Sequence, residues 1–132
     1  MNIQTVTACV QVKKDYGNCF DFYTKQMGLV PIYGDRTGPY TSFSNCKDGQ
    51  PFFAMYDAQD LANRTPGYKL SKEEAASGTL SAVFHSSDFQ ADYRRMQEAG
   101  IEMELADMDG TFQMAIFCDP EGNMLSLEDG GV

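Results

Sequence analysis

The chain contains two halves that repeat the same helix landmarks at nearly the same spacing. Asp15 and Asp88 each precede a run with apolar residues at helical spacing, and Gly28 and Gly100 each follow such a run. Asp favours the N-cap of a helix and Gly the position just beyond its end, so each pair predicts one helix. Asp15 to Asp88 is 73 positions and Gly28 to Gly100 is 72, so two independent landmarks indicate an internal duplication.

Each predicted helix is flanked by β-prone segments, one before it and three after it. In the first half, Val10 and Val12 alternate with Cys9 and Gln11, as expected of a half-buried strand. The predicted strands are 3–12, 29–33, 40–44 and 51–56 in the first half and 79–86, 101–106, 111–118 and 123–128 in the second. Each half is therefore predicted to be a βαβββ module.

The predicted fold class is α+β, with two tandem modules in a single domain spanning 1–132. Module one covers about 1–57, a linker about 58–77 and module two about 78–132. The linker contains Pro66-Gly67 and a candidate short helix at 71–76, and we expect it to connect the modules or cover the pocket. Antiparallel strands covered by a helix on one face must bury the other, so the modules should form one curved mixed sheet with a cup-shaped cleft.

Charge and composition exclude several classes of partner. The formal charge of -9 and the pI near 4.4 repel nucleic acids and anionic membranes and favour cationic small molecules. The sequence has no run of 18 apolar residues and no basic, apolar N-terminal segment, so we expect a cytoplasmic protein with no membrane partner. The four cysteines include no C-x-x-C pair, so no zinc or redox motif is predicted.

Three segments of the chain resemble the vicinal oxygen chelate superfamily, which includes glyoxalase I, fosfomycin-resistance enzymes, extradiol dioxygenases and bleomycin-resistance binding proteins. They are residues 22–29, the helix at 88–100, and Asp119-Pro120-Glu121-Gly122-Asn123 before the last strand. In the last segment, Asp119 and Asn123 are expected to set turn geometry. The resemblance implies a cup-shaped sheet, often within a homodimer, with the substrate in the cup.

The resemblance also implies where a divalent metal would bind: on the first and fourth strand of each module, through His, Gln or Glu. These positions fall on Thr7 or Ala8, Ala54, Ser81 and Ser126. Hydroxyl and methyl groups are poor metal ligands, so we expect no metal site and no cofactor. His85 is the single histidine, so a two-His-one-carboxylate iron site is excluded within one subunit.

The cup is predicted to be apolar with a few polar groups, which suits an organic ligand. Its ligand-binding residues are predicted to be Thr7, Cys9, Gln11, Ala54, Tyr56, Ser81, Val83, His85, Met124 and Ser126. Of these, His85 is the candidate acid or base, with a structural role as its alternative. The acidic residues Glu128 and Asp129 are expected to fray in solvent.

The preferred function is a metal-independent protein that binds a small organic molecule, with a cation favoured, and that forms a homodimer. It resembles the bleomycin-resistance branch, which implies sequestration of an antibiotic or metabolite. The alternative is a glyoxalase-type lyase or isomerase, or another small-molecule enzyme of the superfamily. A third hypothesis is an interaction or regulatory domain whose cup binds nothing.

Overall fold

A computed structural model describes residues 1–68, 70, 79–106 and 113–130 of the chain. Within these ranges it has eight strands, three α-helices and one π-helical turn. The candidate helix at 71–76 lies outside the described residues, as do the first two residues of the strand predicted at 111–118. In the part of the chain that is described, no helix combines the length and hydropathy needed to cross a membrane.

Module one follows the predicted βαβββ order. Its elements are β1 (Ala8–Val12), α1 (Tyr16–Asp21), a π-helical turn (Phe22–Gln26), β2 (Val30–Tyr33), β3 (Tyr40–Ser44) and β4 (Phe53–Asp57). The Asp15 carboxylate accepts the backbone N–H of Asn18, and Gly28 follows the helical segment with a φ of 81°. The predicted helix start and stop are therefore confirmed, whereas β1 is shorter than the predicted 3–12.

Module two repeats this order. Its elements are β5 (Leu80–Ser86), α3 (Phe89–Glu98), β6 (Glu104–Leu105), β7 (Met114–Cys118) and β8 (Met124–Asp129). The Asp88 carboxylate accepts the backbone N–H of Ala91, and Gly100 has a φ of 93°. The strand predicted at 101–106 is reduced to two residues, and Ile101 before it is buried in the core.

A helix occupies the start of the predicted linker. Helix α2 spans Ala58–Arg64, and its N-cap is Asp57, whose carboxylate accepts the backbone N–H of Asp60. Arg64 pairs with Asp60 one turn away at 2.9 Å. The sequence pattern did not predict this helix, because a cap and a local ion pair stabilise a helix without long apolar periodicity.

The two modules have the same strand order. The sheets are ordered β1-β4-β3-β2 and β5-β8-β7-β6, with the first pair of each sheet parallel and the others antiparallel. The fold class is confirmed, but as two four-stranded sheets. Strands β1 and β5 lie side by side, yet no hydrogen-bonded ladder joins them among the described residues. Side chains hold this seam: the rings of Phe53 and Phe84 meet edge to face at 5.1 Å.

The hydrophobic core lies between the sheets and helices α1 and α3. Tyr23 is fully buried, with its ring 4.9 Å from Phe53 and 5.8 Å from Phe43. Phe22 approaches Phe117 of module two at 6.3 Å. The apolar residues of both modules therefore form a single cluster, and burial of this apolar area is the main force that holds the modules together.

A buried carboxylate adds a polar connection between the modules. Asp119, at the turn before β8, accepts the Tyr23 hydroxyl at 2.6 Å and the Asn123 side-chain amide at 2.9 Å. The same Asn123 amide donates to the backbone carbonyl of Gln11 at 3.0 Å. Asp119 and Asn123 thus shape the turn and also fix it to module one.

The neighbouring Glu121 binds the start of the first helix. Its carboxylate accepts the backbone N–H groups of Lys13 at 2.7 Å, Lys14 at 3.2 Å and Asp15 at 3.1 Å. Unpaired N–H groups and the helix dipole make a helix N-terminus favourable for a carboxylate. The turn of module two therefore supplies an acceptor for backbone N–H groups at and just before the N-cap of α1.

Candidate functional site

The predicted ligand-binding residues lie on the face of each sheet that points away from the hydrophobic core, which we call the second face. In sheet one this face carries Cys9, Gln11, Ala54 and Tyr56, and in sheet two it carries Ser81, Val83, His85, Met124 and Ser126. Ala8 packs against the core, so strand alternation places Thr7, directly before β1, on the second face. The sequence had left Thr7 and Ala8 as alternatives for the first-strand position.

Two positions where the resemblance implies metal ligands lie at the bottom of the second face. Ala54 and Ser126 are fully buried. Ala54 pairs with Cys9 on one side and Ser42 on the other, while Ser126 pairs with Val83 and Ile116. A methyl group and a neutral hydroxyl do not fit a divalent metal, which needs imidazole, thiolate or carboxylate donors.

Ser81 occupies a third implied position, at an irregularity in the pairing of β5 with β8 between Leu80 and Ala82. Among the described residues, no three His, Cys, Asp or Glu side chains are grouped so that they could hold a metal ion. The donor set of this part of the chain therefore does not match a divalent metal.

The second face also carries a pairing that the sequence did not reveal. His85 and Glu128 are register partners on the parallel strands β5 and β8, so their side chains leave the sheet on the same side. Ser126 donates its hydroxyl to the Glu128 carboxylate at 3.2 Å. The expectation that Glu128 frays is wrong, because β8 continues to Asp129. The sequence pattern did not identify a carboxylate beside His85, because only the long-range register brings Glu128 next to it.

A cleft of about 280 Å³ opens at the seam between β1 and β5, which we call the seam cleft. Its lining consists of Ala8, Phe52, Phe53, Ala82, Val83, Phe84 and His85. Phe52 and Val83 are each 39% exposed, so two large apolar side chains face solvent beside an imidazole. The seam cleft brings together Val83 and His85 of the predicted residues and adds Phe52, which was not among them.

Other predicted residues lie outside this cleft. Met124 lines a separate cleft of about 740 Å³ at the far end of sheet two, beside Ile116 and Cys118. Gln11 and Tyr56 pair with each other on β1 and β4, and Tyr40 of β3 extends the row. The predicted residues thus share a face without forming one pocket.

Tyr56 lies under an aromatic neighbour from the segment after α2. Its ring centroid is 6.5 Å from that of Tyr68, with the two rings nearly perpendicular at 83°. Burial raises the pKa of Tyr56 to about 12, and a hydrogen bond to Tyr68 contributes in the same direction. Tyr56 is therefore a neutral phenol at physiological pH. Tyr68, which belongs to the predicted linker, thus contacts one of the predicted ligand-binding residues.

Several solved structures share the fold across almost the whole chain. A protein of unknown function from Agrobacterium tumefaciens has a TM-score of 0.72 at 18% identity, covering 98% of this chain and 95% of the other. A lactoylglutathione lyase from the same organism has a TM-score of 0.66 at 16% identity, covering 97% and 96%. TnmS3, an antibiotic binding protein from Streptomyces sp. CB03234, has a TM-score of 0.62 at 19% identity, covering 98% of both chains.

At these identities the structural similarity shows the fold alone. The similar structures include both an enzyme and a binding protein. No curated protein matches the sequence significantly. A family model, however, matches residues 5–127, from just before β1 into β8. The chain therefore belongs to the Glyoxalase/Bleomycin resistance protein/Dioxygenase superfamily.

Proposed function

We propose that the protein binds a small organic molecule at the seam cleft, which borders the second face, without a metal ion. The observation that carries this proposal is the seam cleft, where exposed Phe52 and Val83 flank His85. Ligand sites are mostly apolar with a few placed polar groups, and volumes of about 300–1,000 Å³ are typical. At about 280 Å³ the seam cleft suits a small ligand or one moiety of a larger ligand.

Metal independence is supported by the residues at the implied ligand positions. Thr7, Ala54, Ser81 and Ser126 offer hydroxyl and methyl groups, which do not offset the dehydration of a dication. An antibiotic or a metabolite is the ligand class to test first, since TnmS3 shares the fold and is an antibiotic binding protein. The proposal includes a homodimer and a cytoplasmic location, which light scattering and cell fractionation test.

The primary experiment is a thermal melt of the purified protein against a library of antibiotics and aromatic metabolites. A ligand that binds only the native state stabilises it by RT ln(1 + [L]/Kd), which is about 2.7 kcal/mol at a hundredfold excess over Kd. We expect at least one saturable increase in Tm. Uniformly flat responses would contradict the binding proposal.

Two matched variants locate the site. Val83→Phe fills the seam cleft, whereas Leu105→Phe makes the same kind of change at an exposed strand position of β6 outside it. We expect ligand binding to be lost in the first variant and kept in the second. Equal affinity in both would move the site elsewhere. A near-stoichiometric dication in elemental analysis, with a metal-dependent rise in Tm, would overturn metal independence.

A metal-free enzyme is the second candidate, and the pairing of His85 with Glu128 favours it. Both side chains leave the sheet on the same side at paired register positions, which places a carboxylate close to an imidazole that could serve as a general acid or base. Turnover of a library ligand that Glu128→Gln and His85→Gln both abolish, while binding persists, would establish this function. Binding without turnover in the unmodified protein would reject it.

A further inference from the structure

Four of the seven tyrosines lie together on sheet one and the segment after α2. We call them the tyrosine cluster: Tyr33, Tyr40, Tyr56 and Tyr68. Tyr40 and Tyr56 are register partners on β3 and β4, and the ring centroids of Tyr33 and Tyr40 are 6.2 Å apart. The cluster therefore extends from the edge strand of sheet one across its second face to the segment after α2.

The rings of the tyrosine cluster are tilted against each other. The planes of Tyr33 and Tyr40 meet at 55° and those of Tyr56 and Tyr68 at 83°. Each aromatic face carries partial negative charge, so rings in different planes can direct several faces at one point. Two tilted ring pairs on one sheet surface favour a cation, and in particular a quaternary ammonium group, over a flat neutral ligand that needs parallel rings.

The cluster is accessible and partly rigid. Tyr33 is 68% exposed and Tyr40 is 38% exposed, so a ligand can reach both rings. Beside them, Gly34 approaches the backbone of β3 so closely that an added Cβ would lie 2.0 Å from the Tyr40 carbonyl oxygen. This close approach keeps the end of β2 against β3, next to the Tyr33–Tyr40 ring pair.

The charge of the chain agrees with a cationic occupant. A formal charge of -9 raises the local concentration of cations at the protein surface. Burial raises the pKa of Tyr40 above its usual value, and Tyr56 behaves similarly, so these phenols stay protonated at neutral pH. The tyrosine cluster therefore binds through ring faces and neutral hydroxyls rather than through phenolate charge.

We propose that the tyrosine cluster is a subsite for an organic cation and binds a quaternary or delocalised nitrogen through cation–π contact. This inference rests on the proposed function, since it names the ligand class that the second face binds. Removing one ring from an exposed cation–π site weakens binding by about two- to fivefold. The effect should grow when two rings are removed.

The test compares choline with 3,3-dimethylbutan-1-ol, its neutral isostere, by NMR titration of protein carrying ring-labelled tyrosine. The shape of the two probes is alike, so a difference in affinity reports charge. We expect saturable shifts with choline, weaker at high salt, and at least fivefold weaker binding of the neutral probe. Equal affinity for both probes would overturn the inference.

Variants separate the rings from their hydroxyls. Tyr40→Phe keeps the ring and should retain most choline affinity, whereas Tyr40→Leu should lose about two- to fivefold. Tyr33→Leu should show a similar loss and is safe for folding, because that side chain is largely exposed. Tyr93→Leu, on helix α3 outside the cluster, is the matched control and should change nothing. Unchanged affinity in both leucine variants of the cluster would also overturn the inference.

The two proposals fail separately. A library ligand that binds and is lost in Val83→Phe, but is insensitive to Tyr33→Leu and Tyr40→Leu, supports the proposed function and rejects the cation subsite. Choline binding that depends on the cluster, together with a flat library screen, supports the cation subsite and removes the seam cleft as the ligand site.

Discussion

The hydrogen bond between Tyr23 and Asp119 allows a sharp test of how the two modules are joined. Tyr23 is fully buried and donates its hydroxyl to the Asp119 carboxylate at 2.6 Å. A hydrogen bond to a charged group contributes about 1.5–3 kcal/mol to stability. In Tyr23→Phe the same carboxylate oxygen keeps the Asn123 amide at 2.9 Å, so we expect the lower part of this range, about 1.5–2 kcal/mol.

This loss converts into a measurable shift in Tm. An unfolding entropy of about 2.1 cal/mol/K per residue gives roughly 0.28 kcal/mol/K for 132 residues. Tyr23→Phe should therefore lower Tm by about 5–7 °C in calorimetry, and urea unfolding should give the same loss of free energy. Tyr93→Phe removes a hydroxyl that accepts from Gln97 on an exposed helix face, and should change stability by less than about 0.5 kcal/mol.

A double-mutant cycle with Asp119→Asn identifies the cause. If the hydroxyl and the carboxylate act as a pair, the two substitutions should be non-additive by about 1 kcal/mol or more. Additive losses, or a loss under about 0.5 kcal/mol for Tyr23→Phe alone, would refute the reasoning, because the energy would then not come from this contact.

Three further predictions concern stability. The pKa of Tyr56 is about 12 in the folded protein and about 10 in the unfolded chain, so its contribution to folding stability is complete below pH 10 and is lost as pH rises through 12. The urea midpoint of unfolding, followed from pH 8 to 12, should therefore fall between pH 10 and 12. A midpoint that does not change with pH would contradict this prediction. Gly34→Ala should lower the free energy of unfolding in urea by more than about 2 kcal/mol, because it combines a positive φ with a backbone clash. Gly67→Ala has a positive φ but no neighbour within 4 Å, so it should lower the free energy of unfolding by only about 1 kcal/mol. Glu121→Gln should lower the free energy of unfolding by about 1–2 kcal/mol, because it removes the negative charge that accepts three backbone N–H groups. The control Glu104→Gln, on an exposed strand, should leave the free energy of unfolding unchanged. Equal losses in the two variants would contradict the role assigned to Glu121.

The sequence predicted the features of the fold that local chemistry determines. Asp15 and Asp88 cap their helices, and Gly28 and Gly100 end them with positive φ, as their residue types require. Strand alternation placed the predicted site on one face of each sheet. Helix α2 was missed because its seven residues are stabilised by a cap and one ion pair, which leave no long periodic pattern.

The parts of the site that depend on distant pairing could not be predicted. Glu128 faces His85 only because β8 joins β5 in one parallel register, and a shift of one residue would turn it to the other side. Strand alternation alone placed Tyr56 in the predicted site. Its neighbour Tyr68 follows α2, and the direction of that segment depends on tertiary packing rather than on local pattern.

The contact of Glu121 with the start of the first helix has a consequence for biosynthesis. The acceptor and the Lys13 amide are 108 positions apart, so a ribosome makes the N-terminal helix long before its anionic partner exists. Until Glu121 has been synthesised, the backbone amides that it binds in the folded protein remain accessible to water. Folding is therefore expected to finish only after the last hairpin has left the exit tunnel, and nascent chains truncated before Asp119 should remain sensitive to protease.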